Sequence, residues 1–110
     1  MLYELRVYPI NPGHRKDIED LFEHTNLANF KRHGISVEGL WYSTSEEILY
    51  YILKFEDEDD QKAKWEAFYA DPVWAAGIAK WQDERGNVMD HYEHYNMEPI
   101  PFYDEKLSRF

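Results

Sequence analysis

The feature that most narrows the fold is the alternation in Leu2-Tyr3-Glu4-Leu5-Arg6-Val7-Tyr8. Successive side chains of an extended strand point to opposite faces. Tyr3, Leu5 and Val7 therefore share one face, and Leu2, Glu4, Arg6 and Tyr8 the other. The first set reads as core. The second places an acid, a base and a phenol on a single face, which is costly to bury unless each group is partnered. On this reading Glu4, Arg6 and Tyr8 stand on the side of the sheet away from the helices, in a wet or paired environment.

The rest of the chain supplies elements to pair with that strand. Asn11-Pro12-Gly13 is a turn cluster. Ile18, Leu21, Phe22, Thr25 and Ala28 then recur at helical spacing, and Gly34 follows the basic run Lys31-Arg32-His33 as a stop, which predicts one helix over 13–33. Val37–Ser43 and Ile48–Phe55 are rich in β-branched and aromatic residues around the polar loop 44–47, and predict an antiparallel hairpin. Its second arm is apolar on both faces and reads as central. The acidic run Glu56-Asp57-Glu58-Asp59-Asp60 reads as a capped, dipole-matched helix start, with Asp57 or Glu58 near the cap. Asp71-Pro72 breaks that helix and Pro72 opens the next, which ends at Arg85-Gly86-Asn87. Val88–Met97 predicts a last strand, closed by Pro99 and Pro101.

The order β-α-β-β-α(α)-β predicts an α+β, ferredoxin-like domain over residues 1–102, with an antiparallel sheet, helices on one face and a C-terminal tail at 103–110. One face of such a sheet lies bare. A chain of 110 residues with four Trp, nine Tyr and six Phe carries more aromatic surface than one small domain hides, so a homodimer closed through that face is expected. The net charge of −10 argues against nucleic acid as a partner. With no Cys there is neither a disulfide framework nor a thiol nucleophile. The opening residues lack a basic-then-apolar leader and no apolar run approaches a membrane span, so a soluble cytoplasmic protein without membrane insertion is the default expectation.

Several stretches resemble one family. Leu2–Tyr8 followed by Asn11-Pro12-Gly13 is similar to the opening of the NIPSNAP family. His33-Gly34-Ile35 with Gly39-Leu40-Trp41 resembles its second-strand entry. Phe68-Tyr69-Ala70-Asp71-Pro72-Val73-Trp74 and Pro99-Ile100-Pro101-Phe102 resemble its Asp-Pro-x-Trp element and its close. The resemblance implies a dimeric α/β barrel, in which two ferredoxin-like sheets pack about a two-fold axis, and it implies no agreed activity. By fold analogy alone, cofactor-independent monooxygenases and isomerases belong to the same fold class. The last strand, Met89–Tyr95, departs from the family pattern in being polar and His-rich.

The candidate ligand-binding residues are Glu4, Arg6, Tyr8, Trp41, Tyr50, Trp65, His91 and Glu93. Glu4 and Arg6 are about 7 Å apart by strand rise, within reach of an ion pair. Alternatively, Arg6 holds a ligand carboxylate or enolate, Glu4 orients it and Tyr8 donates a hydrogen bond. His91 and His94 fall on opposite faces of a strand and cannot share an ion, so no metal is assigned. His91 with Glu93 is preferred over His94 as the acid–base set beside the barrel; an exposed polar edge strand is the structural alternative. The Trp and Tyr rings serve equally as core and interface or as an apolar pocket. No phosphate loop, nucleophile elbow or zinc signature is present, no cofactor is implied and no catalytic residue is assigned. The favoured reading is a homodimer holding a small organic ligand in the barrel between sheet and helices. The alternatives are a non-catalytic scaffold or interaction module, and a cofactor-independent monooxygenase or isomerase.

Overall fold

The computed structural model describes residues 1–102. The predicted tail, 103–110, lies outside the described residues. Four strands, β1 (Leu2–Pro9), β2 (Ser36–Tyr42), β3 (Ile48–Phe55) and β4 (Glu93–Met97), form one sheet in the order β2-β3-β1-β4. Every neighbouring pair is antiparallel. The two strands expected in the middle, β1 and β3, are central, and the element order is the predicted ferredoxin-like one.

The first helical segment is broken where its periodicity predicts one helix. α1 (Arg15–Leu21) passes through a π-helical turn, Phe22–Asn26, into α2 (Leu27–Arg32). A π-turn adds one residue and rotates everything after it. Ile18, Leu21 and Phe22 face inward as predicted, but from the end of the turn onward Asn26 and Asn29 are buried in place of Thr25 and Ala28. Both are partnered. The Trp74 indole N–H donates to Asn26 Oδ1 at 2.9 Å, and Asn29 Nδ2 donates to the Phe68 carbonyl at 3.1 Å. These bonds tie α2 to α3 (Glu58–Ala70) and the π-turn to α4 (Pro72–Arg85).

The acidic run starts a helix, as expected. Asp57 caps α3 by accepting from the Asp60 N–H at 2.8 Å, and Asp60 in turn accepts from the Glu56 N–H at 2.9 Å. At the predicted break, Asp71 caps α4 by accepting from the Val73 and Trp74 N–H groups, with Pro72 in the first helical turn. α4 ends at Gly86, whose φ of 69° is the left-handed backbone expected of glycine. The last strand is shorter than predicted. Residues 88–92 are irregular, because Asn11 on the turn after β1 pins them: its N–H donates to the Val88 carbonyl at 2.8 Å and its side chain to the Asn87 carbonyl at 3.0 Å.

One expectation for the first strand is overturned. Leu2, Glu4, Arg6 and Tyr8 face the helices, not the bare side. Leu2 and Tyr8 lie in the core with Tyr51, Leu53 and Phe55 of β3, and Gln61 and Trp65 of α3 reach Glu4 directly. The open face carries Tyr3, Leu5 and Val7. Opposite them stand Lys54, Ile52 and Tyr50 on β3, and Met97, Tyr95 and Glu93 on β4. Trp41 joins this face opposite Tyr50. Gly39 makes room for the Trp41 indole, which lies 2.4 Å from where a Cβ at residue 39 would sit.

The Asp71 cap sets an acid limit. His33 first, then the Trp74 N–H, Arg32 and the Val73 N–H, hold the Asp71 carboxyl well below its ordinary value of 3.8. The folded value lies under the unfolded one, so this stabilisation is complete above the unfolded value and is lost as pH falls from there through the folded value. Asp71→Asn is expected to flatten the acid end of a stability–pH curve from urea unfolding while leaving its neutral-to-alkaline shape in place.

Candidate functional site

The site grows from β1. Arg6 is only 5% exposed and Glu4 only 2%, so both charges depend on their partners. Arg6 Nη1 donates to Glu4 Oε2 at 2.7 Å. The other carboxylate oxygen accepts from Gln61 Nε2 at 2.6 Å and from the Trp65 indole N–H at 2.8 Å. Glu4 thereby accepts from three donors, two of them from α3. Gln61 also pairs with Asn96 of β4, donating to its Oδ1 at 2.8 Å, which ties α3 to the sheet edge.

The guanidinium is held among rings. Its central carbon lies 4.6 Å from the Trp65 ring and 4.7 Å from the Tyr92 ring, with Tyr8 and Tyr51 at 5.7 and 5.9 Å. Burial opposes the charge, but the Tyr51 and Tyr8 oxygens and the Glu4 carboxylate outweigh it, so Arg6 is held protonated more firmly than a free arginine. Nη2 makes a long bond to the Tyr8 oxygen at 3.3 Å. The Nε–H makes none. Among the described residues it is the one buried side-chain polar atom without a partner. A buried donor left unpaired costs on the order of 1–3 kcal/mol.

A second free donor follows from the tyrosines. Tyr8 and Tyr51 hydroxyls lie 2.7 Å apart. Tyr51 is fully buried, and Tyr8 is the acceptor within reach of its proton among the described residues. One hydroxyl of the pair donates to the other. The Tyr8 oxygen also accepts from Arg6, and one phenol proton of the pair is left without an acceptor among the described residues. Burial pushes the Tyr51 phenol well above its ordinary value and Tyr8 adds to this, while Arg6 pulls it back only in part. Burial likewise raises Tyr69 against the pull of Arg6. Both phenols are neutral donors at physiological pH and neither is a base.

Two cavities meet at Arg6. The inner one, about 280 Å³, lies between sheet and helices and is walled by Tyr8, Phe30, Tyr51, Phe68, Trp74 and Trp81. The outer one, about 300 Å³, is bordered by Glu4, Gln61, Lys62, His94 and Asn96. Arg6, Trp65, Tyr69 and Tyr92 border both and form the partition. Both volumes lie near the small end of ligand sites.

Of the residues singled out from sequence, Glu4, Arg6, Tyr8 and Trp65 come together here. Trp41 and Tyr50 do not; they lie on the open face, and Trp41 borders a separate cavity of about 360 Å³ beneath the edge strand with Phe22 and Leu27. Glu93 pairs opposite Val7 on the open face, and His91 precedes the strand and is exposed. The preference for His91 with Glu93 beside the site is therefore corrected. The strand starts at Glu93, and this register sets His94 opposite Arg6 and sends Tyr92 to the guanidinium. Sequence reasoning also missed Gln61, Tyr69, Asn96 and Asn26. The spacing Gln61–Trp65, one helical turn, was the available signal for the first.

The family model described as NIPSNAP matches residues 3–102. The chain belongs to the NIPSNAP family. Among curated proteins none matches it. Among solved structures, an uncharacterised NIPSNAP domain protein from Burkholderia xenovorans superposes with a TM-score of 0.80 at 22% identity, over 93% of this chain and 97% of that one. A NIPSNAP family protein from Agrobacterium tumefaciens gives 0.80 at 16% identity, over 92% and 94% of the two chains. A candidate antibiotic biosynthesis monooxygenase from Nitrosomonas europaea gives 0.64 at 9% identity, over 91% and 99%. At these identities the likeness is one of fold: an α+β domain on a four-stranded antiparallel sheet. Among the described residues no helix is long and apolar enough to cross a membrane.

Removing one member of a buried ion pair strands the other. Glu4→Leu is expected to cost about 3–5 kcal/mol in denaturant unfolding. Glu4→Leu with Arg6→Met should recover most of that loss. Equal costs for the single and double variants would show that the two charges do not act as a pair.

Proposed function

We propose that this NIPSNAP-family chain is a homodimeric ligand-binding domain that holds a small organic molecule between sheet and helices, with Arg6 as its polar anchor. The observation that carries this reading is the unpartnered Nε–H of a 5%-exposed arginine bordering an aromatic cavity. A structural ion pair alone would satisfy Arg6 and close the space around it. Here Glu4 uses one nitrogen, and the Nε–H and one phenol proton of the Tyr8–Tyr51 pair have no acceptor among the described residues. The flat walls suit an aromatic or apolar body, and two donors at one end fix its orientation.

The homodimer rests on the open face. Tyr3, Leu5, Tyr50 and Ile52 share that face around the buried Val7 and are half-buried, and Trp41 and Tyr95 beside them are 50% and 51% exposed. Apolar surface of this kind marks an interface. A second sheet laid on it would cover the patch by two-fold symmetry. The binding cavity lies on the opposite side of the sheet and is complete within one chain.

Two measurements test this. In a thermal-shift screen of small organic compounds, a ligand at a hundred times its Kd should stabilise the wild type by about 2.7 kcal/mol. Tyr8→Phe should fold and lose most of that shift. A screen in which no compound moves the midpoint would overturn the binding reading. In sedimentation velocity, the wild type should run as a dimer and Leu5→Glu as a folded monomer; a monomeric wild type would contradict the assembly.

A further inference from the structure

We infer that the ligand of the Arg6 site is an organic carboxylic acid in its anionic form, with its apolar body in the inner cavity and its carboxylate at the partition, toward Lys62. This rests on the binding reading above and names its chemical class.

Charge is the first support. The chain carries −10, yet the outer recess runs against that sign. The one carboxylate bordering it is Glu4, whose two oxygens are taken by Arg6, Gln61 and Trp65. Arg6 balances that charge. Lys62 then adds a cation that makes no ion pair among the described residues. Among the residues bordering the recess, Arg6 and Lys62 outnumber Glu4 by one formal positive charge. Surface acids elsewhere repel anions from the rest of the chain and leave this recess as an exception.

Hydrogen-bonding capacity agrees. The Arg6 Nε–H and the Lys62 ammonium can only donate, whereas the Gln82 amide and the Tyr92 hydroxyl on the cavity walls can donate or accept. The amides of Gln61 and Asn96 are engaged with each other and with Glu4. A ligand that donates finds no open carboxylate here. A ligand with two acceptor oxygens fits the fork of an arginine edge. The Trp65 and Tyr92 rings lie 4.6 and 4.7 Å from the guanidinium carbon, and Nε is its unpartnered N–H among the described residues. Phosphate monoesters are disfavoured by size of charge: one uncompensated lysine and a neutralised arginine balance a single negative charge, not two. The inner cavity of about 280 Å³, walled by rings, takes a body of one or two rings.

The test is calorimetric titration of the full chain with phenylacetate, phenylacetamide and phenethylamine, three probes sharing one ring. The acid should bind roughly tenfold or more tightly than the amide, and the amine should not bind. Lys62 is exposed, so Lys62→Glu should fold normally. It should weaken phenylacetate roughly tenfold and leave phenylacetamide unchanged. Arg6→Leu risks the fold, so the lysine variant is the deciding one. Acid and amide binding equally to the wild type would overturn the carboxylate assignment and leave the site itself standing. Tight binding of the amine would do the same. Failure of all three would also overturn it, and the broader compound screen then decides separately whether the cavity binds anything.

Discussion

The structure depends on one buried pair of opposite charges. Glu4 and Arg6 sit on the helix-covered face of the central strand, where an isolated charge would cost several kcal/mol. Their partners come from far along the chain: Gln61 and Trp65 lie 57 and 61 residues from Glu4. The charge pair thus fixes how α3 lies on the sheet. It also prevents the layer from closing fully, because a guanidinium has five N–H groups and the protein supplies acceptors for only some. The cavity beside Arg6 and the docking of α3 are two consequences of one arrangement.

Much of the fold was legible. Alternation, turn clusters and helical spacing identify every strand, the central pair β1 and β3, the Asp57 cap and the Asp71-Pro72 break. The facing of β1 was not legible. Alternation sorts residues into two sets without saying which is buried, and the apolar set Tyr3, Leu5 and Val7 is the natural core. What reverses it is the polar capacity of α3: an indole N–H and an amide one turn apart make the charged face the satisfied one. No local pattern in β1 contains that fact. The π-turn escaped for a similar reason. One inserted residue shifts the inward face by a single position, and Thr25/Ala28 fit helical periodicity as well as Asn26/Asn29 do.

The site was legible in part, along the same line. Glu4, Arg6, Tyr8 and Trp65 come together because three share a strand face and the fourth binds one of them. Trp41 and Tyr50, chosen for their rings, belong to the opposite face, where apolar surface meets solvent. His91 and Glu93 were displaced by the loop before β4: Asn11 holds residues 87–88, the strand begins late, and the register delivers His94 and Tyr92 instead. The two faces of the sheet then divide the work. One carries the buried polar cluster and its cavities, and the other the apolar patch suited to a second copy.

Everything above turns on Arg6 lying among the helices with a free Nε–H. Nitrogen-15 NMR of the Arg6 side chain reads this directly. The expected result is a resolved Nε–H signal, protected from solvent exchange, that moves when an aryl carboxylate is added. A signal in fast exchange with water and unmoved by any acid would place Arg6 on the open face or show its edge already filled, and would contradict the site as built here.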